Sequence, residues 1–225
     1  MDDKIFKKQE VKDKTVPENR LNDKNKVLST FLQYKASSIN EAIKPVFNFK
    51  EIDKNTKPKE YFAMAVLNKI YSLDVSLENI ILTNDVFLCN YFYRYVYELY
   101  IKVLYIFSAS NEEETIARLN NFFSGNMPGI FDCQKMINDQ FIPPQFKEKH
   151  KQKYKTLSDI AHPNIQSLNI HLDTNPDQQF EFLNPTASLS VWHIIEIIKF
   201  FLNLKLIKLD EENQKKLFDL QKLII

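Results

Sequence analysis

Two glycines in 225 residues, Gly125 and Gly129, restrict the fold of this chain more than any other feature. Glycine supplies the positive-φ conformations that tight hairpins and phosphate-cradling loops need, so a chain almost without it has little access to either. Helices joined by polar loops are the architecture left open. The same scarcity argues against a nucleotide fold, and neither a P-loop nor a GxGxxG run is present. With 44% hydrophobic residues the chain has ample material for one large core. Its 30 Lys plus Arg balance 29 Asp plus Glu, which leaves no global field to draw it onto nucleic acid or anionic lipid.

Three regions follow from composition. Residues 1–26 alternate charged and amide residues with isolated apolar ones and read as a polar, disordered arm. Residues 27–56 read as a short helix, over Lys26 to Ile43, and a polar connection bracketed by Pro45 and Pro58. Residues 57–225 read as a single domain, mainly α: an antiparallel helical bundle with one small β-hairpin near 170–183. The hairpin expectation rests on Ile170, Leu172, Phe180 and Phe182, which alternate with polar residues around Asn175-Pro176-Asp177. Asn184 then caps a helix with Pro185 at its first position. Ser76 to Phe107 would span roughly 48 Å as one helix, with Asp85 as its candidate break. No membrane span is expected, because Arg94, Glu98 and Lys102 interrupt this run, and Glu196, Lys199 and Lys205 the later one. Cys89 and Cys133 lack CxxC spacing, and Met1-Asp-Asp-Lys opens no apolar leader, so a reducing cytoplasmic setting is expected.

Within the aromatic run a polar stripe recurs every four residues: Asn90, Arg94, Glu98 and Lys102. It has a structural reading, a solvent face with a Glu98 to Lys102 ion pair, and a second one in which the polar groups are buried. The helix ending at Pro163 supplies candidate partners. Counted from Tyr154, it carries Leu157, Ser158, Ala161 and His162 on one face, and Lys151, Lys155 and Asp159 on the other. If the charged side meets water, Tyr154, Ser158 and His162 point inward and need partners, which Arg94 and Glu98 can provide. The candidate polar cluster is therefore Arg94, Glu98, Tyr154, Ser158 and His162, with Arg94, Glu98 and His162 as its candidate catalytic members.

Other chemistry finds less support. A Ser158/His162 dyad has no glycine-rich elbow and no legible oxyanion hole. His150, His162, His171 and His193 show no zinc-type spacing, so neither a metal nor another cofactor is expected. The 18 Phe and 10 Tyr residues favour a core with an interface, and a tyrosine-rich central helix suits a homodimer seam. Stacking of single-stranded RNA would need more interleaved cations than Arg94 and Lys102.

Arg94-Tyr-Val-Tyr-Glu98, followed some sixty residues later by Tyr154-Lys-Thr-Leu-Ser158-Asp-Ile-Ala-His162-Pro163, resembles uncharacterised bacterial helical proteins of the HEPN superfamily. The likeness spans roughly Tyr61 to Leu206. It implies an antiparallel helical bundle, frequent dimerisation, and a role around RNA cleavage, toxin and antitoxin pairs or abortive phage infection. HEPN ribonucleases carry an Arg followed by His after four to six residues, and none of Arg20, Arg94 and Arg118 has such a histidine. The resulting expectation is a non-catalytic interaction or regulatory protein of the stress or phage-defence type. Its alternatives are a metal-independent ribonuclease using Arg94 and His162, and a small-molecule sensor with an aromatic pocket. A protein partner or RNA is compatible with this reading; no DNA motif is seen.

Overall fold

The computed structural model describes residues 21–48, 52–161 and 175–222, and among these the fold is all α. In chain order the helices are α1 (Asp23–Ile43), followed by a 3-10 turn (Lys44–Asn48), α2 (Pro58–Thr83), α3 (Val86–Phe107), α4 (Glu112–Phe123), α5 (Ile130–Met136), α6 (Pro144–Ala161), α7 (Pro176–Asn203) and α8 (Glu211–Lys222). Helix α3 lies at the centre, with α7, α6, α5, α2 and α4 all packed against it. Helix α1 packs on α2, α7 and α8, and its Leu32, Ile39 and Ile43 are part of the same core as α3. Rings close that core at one end. Phe62 of α2 meets Phe122 of α4 edge to face at 4.9 Å and Phe201 of α7 at 6.2 Å. Each such fully buried large side chain contributes roughly 1.5 to 3 kcal/mol from desolvation.

The long apolar run is two helices. Asn84 adopts a left-handed conformation (φ 54°), which asparagine tolerates better than most residues, and Asp85 then caps α3 by accepting a 2.9 Å bond from the Leu88 N–H. Asn84 also donates from Nδ2 to the Pro176 carbonyl at 2.8 Å, which ties the break to the start of α7. Asp177, one residue on, accepts from the Asn22 N–H and from Asn25 Nδ2, so the first turn of α1 is anchored at the same place.

The hairpin expected near 170–183 is not formed where the structure describes that span. Asn175 is the N-cap of α7, in a reciprocal capping box with Gln178, and Pro176 occupies the first turn. Phe180 and Phe182 are helical, and Ile170 and Leu172 lie outside the described residues. The two-residue alternation misleads because residues i and i+2 are 200° apart on a helix and also reach opposite sides. The longer pattern decides: Phe180, Leu183, Ala187, Val191, Ile194, Ile198 and Phe201 are all fully buried at spacings of three and four. Asn184 and Pro185 therefore sit inside α7 rather than at its start. Pro185 is accommodated because it and Glu181, whose carbonyl loses its helical partner, both face solvent. Helix α7 is long and apolar enough by length and composition to cross a membrane, and half of that stretch is buried inside the protein.

One core position conflicts with its surroundings. Asp74 of α2 is fully buried, and among the described residues neither carboxylate oxygen makes a hydrogen bond of good geometry, the nearby Asn40 backbone amide offsetting only part of the burial. Burial, reinforced by the charge of Glu78, raises its pKa well above the carboxylate range, so the fold favours the protonated acid. A folded-state pKa above the unfolded value makes the folded protein bind the extra proton, and stability falls as pH rises from the ordinary carboxyl range towards the raised value. Asp74→Asn is therefore expected to stabilise the protein at pH 7, with the gain shrinking towards pH 4. Urea unfolding of both proteins over that range tests this; a pH-independent difference would refute it.

Candidate functional site

Helices α3 and α6 pack against each other with Arg94 and Glu98 of the polar stripe in their seam. Neither simple reading of the stripe describes it. Asn90 is buried and donates back to the Val86 carbonyl at 3.0 Å, while Arg94, Glu98 and Lys102 are half-buried. Glu98 turns to Arg94, one helical turn earlier, and the two pair through Arg94 Nε and Glu98 Oε1 at 3.1 Å. Tyr154 of α6 closes a triangle. Its hydroxyl donates to Glu98 Oε1 at 2.9 Å and accepts from Arg94 Nη2 at 3.3 Å, and its ring lies 5.5 Å from the guanidinium.

Charge follows from this geometry. Burial works against the Arg94 cation, but the bonds to Glu98 and Tyr154 outweigh it and hold the guanidinium firmly protonated. Burial raises the Tyr154 pKa, and donation to Glu98 raises it further. Arg94 therefore keeps its charge, and Tyr154 its proton, at neutral pH. Of the remaining candidates, Ser158 is half-buried on α6, and His162 lies outside the described residues. The structure thus brings together Arg94, Glu98 and Tyr154 of the five.

Between Arg94 and Glu98 on α3, and one turn before Tyr154 on α6, lies a second network that the sequence reading passed over. The Tyr97 hydroxyl is 2.5 Å from His150 Nδ1 and 3.2 Å from the His150 carbonyl, and it accepts from Gln134 Nε2 of α5 at 3.3 Å. Gln134 Nε2 also donates to the His150 carbonyl at 3.3 Å. The rings of Tyr97 and His150 stack at 5.9 Å. Burial raises the Tyr97 pKa and, together with the charge of Lys153, lowers that of His150, so the phenol keeps its proton and the neutral imidazole accepts it. The signal was present: Tyr93 and Tyr97, like His150 and Tyr154, are four apart, and counting the α6 face back one turn from Tyr154 reaches His150. Gln134 had no such cue.

His193 of α7 completes the buried ring cluster, 5.5 Å from Tyr97 and 5.0 Å from Tyr100. Its Nδ1 bonds the Leu189 carbonyl at 2.8 Å, and burial holds its pKa down at about 3. No grouping of three or more His, Cys, Asp and Glu side chains suited to a metal occurs among the described residues.

The two networks differ in what their loss exposes. Tyr154→Phe leaves the half-buried Arg94 and Glu98 paired with each other, and is expected to cost about 1 kcal/mol. Tyr97→Phe strands His150 Nδ1 and a Gln134 donor in the interior, and is expected to cost roughly 1 to 3 kcal/mol. Denaturant midpoints of the two variants check the order, and a larger loss for Tyr154→Phe would contradict the assignment. Comparison of the chain with protein-family models, curated proteins and solved structures finds no match.

Proposed function

We propose that this chain is a non-catalytic interaction or regulatory protein, built as an antiparallel HEPN-like bundle and acting as a homodimer in stress or phage defence. The observation that carries the reading is how the polar side chains of α3 are spent. Arg94 and Glu98 bond each other and Tyr154, and Tyr97 bonds His150 and Gln134. General acid and base catalysis needs groups free to exchange a proton near the working pH, whereas the Arg94 guanidinium and the Tyr97 and Tyr154 phenols all hold their protons more firmly than usual. The stress and phage-defence setting rests on the family resemblance alone.

Interaction is supported by what α3 leaves exposed. Along its whole length the exposed side chains are Leu88, Tyr91 and Tyr95, a single stripe at spacings of three and four. Tyrosine presents apolar area at low entropic cost and is enriched where proteins meet. The occupant we assign is a second copy. The stripe is short and has Tyr91 near its middle, so a two-fold axis there sets Leu88 of one copy against Tyr95 of the other and makes the patch complementary to itself. Lys69, whose ammonium lies 5.3 Å from the Tyr95 ring, marks its polar edge.

Two measurements test these claims separately. Total RNA incubated with the purified protein and EDTA is expected to stay intact; cleavage that disappears in both Arg94→Ala and His162→Ala would establish the ribonuclease instead. Sedimentation velocity is expected to show a dimer that Tyr91→Glu converts to monomer without loss of helicity. A wild-type monomer at tens of micromolar would sink the dimer.

A further inference from the structure

Lys153 precedes Tyr154 on α6 but faces different neighbours. Its ammonium lies 5.1 Å from the ring centroid of Tyr93 and 5.8 Å from that of Tyr97. The side chain is half-buried, and among the described residues no carboxylate pairs with it. Tyr93 is 2% exposed, and its hydroxyl is buried with no hydrogen-bond partner among the described residues. The ring of His193 stands 5.6 Å from that of Tyr93, with Nδ1 committed to the Leu189 carbonyl. Among the described residues a cation without a carboxylate partner thus lies over the ring of a tyrosine whose own hydroxyl has no acceptor, between α3, α6 and α7.

Both groups are donors, and each is costly to leave unmet: a partly desolvated ammonium lacks its hydration, and a buried hydroxyl loses a hydrogen bond. One acceptor with two oxygens satisfies both. The neighbouring imidazoles do not supply it. His150 Nδ1 is taken by Tyr97, His193 Nδ1 is taken by the Leu189 carbonyl, and no hydrogen bond joins His193 to the Tyr93 hydroxyl. We propose that Lys153 and Tyr93 form a binding site for the carboxylate of a small monoanionic acid, one oxygen on the ammonium and the other on the Tyr93 hydroxyl. A monoanion is favoured because the site holds one uncompensated positive charge among aromatic rings, and a dianion would leave net charge in a low-dielectric setting. The rings of Tyr93, Tyr97 and Tyr100 would pack against an apolar or aromatic body on the acid. This site is separate from the Arg94, Glu98 and Tyr154 triangle and does not depend on the dimer. Burial lowers the Lys153 pKa in the unliganded protein, so a bound carboxylate has a distinct signature: it raises that pKa again.

The test uses the full chain in low-chloride buffer. Thermal melting is followed against sodium acetate, propionate and benzoate, with sodium chloride at matched ionic strength and sodium phosphate as comparison arms. A saturable stabilisation by at least one carboxylate is expected, beyond that of either comparison salt. Lys153→Gln is expected to weaken it roughly tenfold to a hundredfold, the loss of one charge-assisted hydrogen bond, and Tyr93→Phe several-fold. Lysine titration by NMR, on protein bearing labelled methyl groups, is expected to show the Lys153 pKa rising with the bound acid while exposed Lys151 and Lys155 stay put. Responses no larger than those to chloride, equal binding by Lys153→Gln, or tighter binding of phosphate would each overturn the proposal.

Discussion

The burial of α3 is the constraint on which the remaining structure depends. Five helices pack against α3, and each polar side chain that they bury must find a partner inside the protein or cost roughly 1 to 3 kcal/mol. Asn90 bonds its own helix and meets Thr186 of α7 at 3.5 Å. Arg94 and Glu98 bond each other and α6, and Tyr97 bonds α5 and α6. At the C-terminal end, Arg118 of α4 reaches in to the Tyr105 carbonyl and the Ser108 hydroxyl, with its guanidinium 4.2 Å from the Tyr105 ring. These contacts fix how each neighbour is rotated against α3, which apolar packing alone leaves loosely specified.

Much of this was legible in the sequence because it lies in local periodicity. Two glycines exclude hairpin-rich folds, and Asn111 with Glu112 to Glu114, or Asp210 with Glu211 and Glu212, announce helix starts through capping and the helix dipole. The pairing of Arg94 and Glu98 with Tyr154 was also within reach, since spacing of four puts one pair on one face and Tyr154 opened the inward face of α6. What failed was a turn reading applied to Asn175-Pro176. The same residues serve a helix start, and only the burial of Phe180 together with six later α7 residues separates the two. The Gln134 contact was out of reach because it depends on where the short α5 docks, which no periodicity encodes.

The electrostatic character of the interior bears on what α3 can do. Burial pushes Tyr93 and Tyr97 up, Tyr100 up to about 12, and His193 down to about 3, so every one of these groups is held in its neutral form. A catalyst commonly sets one group's pKa up and a neighbour's down so that both sit near the working pH. Here the shifts run away from neutrality on both sides. The pattern is that of a desolvated core in which Tyr97 and His193 keep hydrogen bonds and Tyr93 does not.

Lys153 is the exception in that neutral field, and its position explains why α6 is the element to watch. On one side of α6 Tyr154 is locked to Arg94 and Glu98, and on the next His150 is locked to Tyr97. Lys153, between them in sequence, places a positive charge by two α3 rings with no carboxylate among the described residues to balance it. Cation–π contact offsets only part of the desolvation, on the order of 0.5 to 2 kcal/mol. A ligand or partner that brings a negative charge there therefore gains more than a simple surface ion pair would give, and it gains it against the helix whose seam with α3 organises the fold.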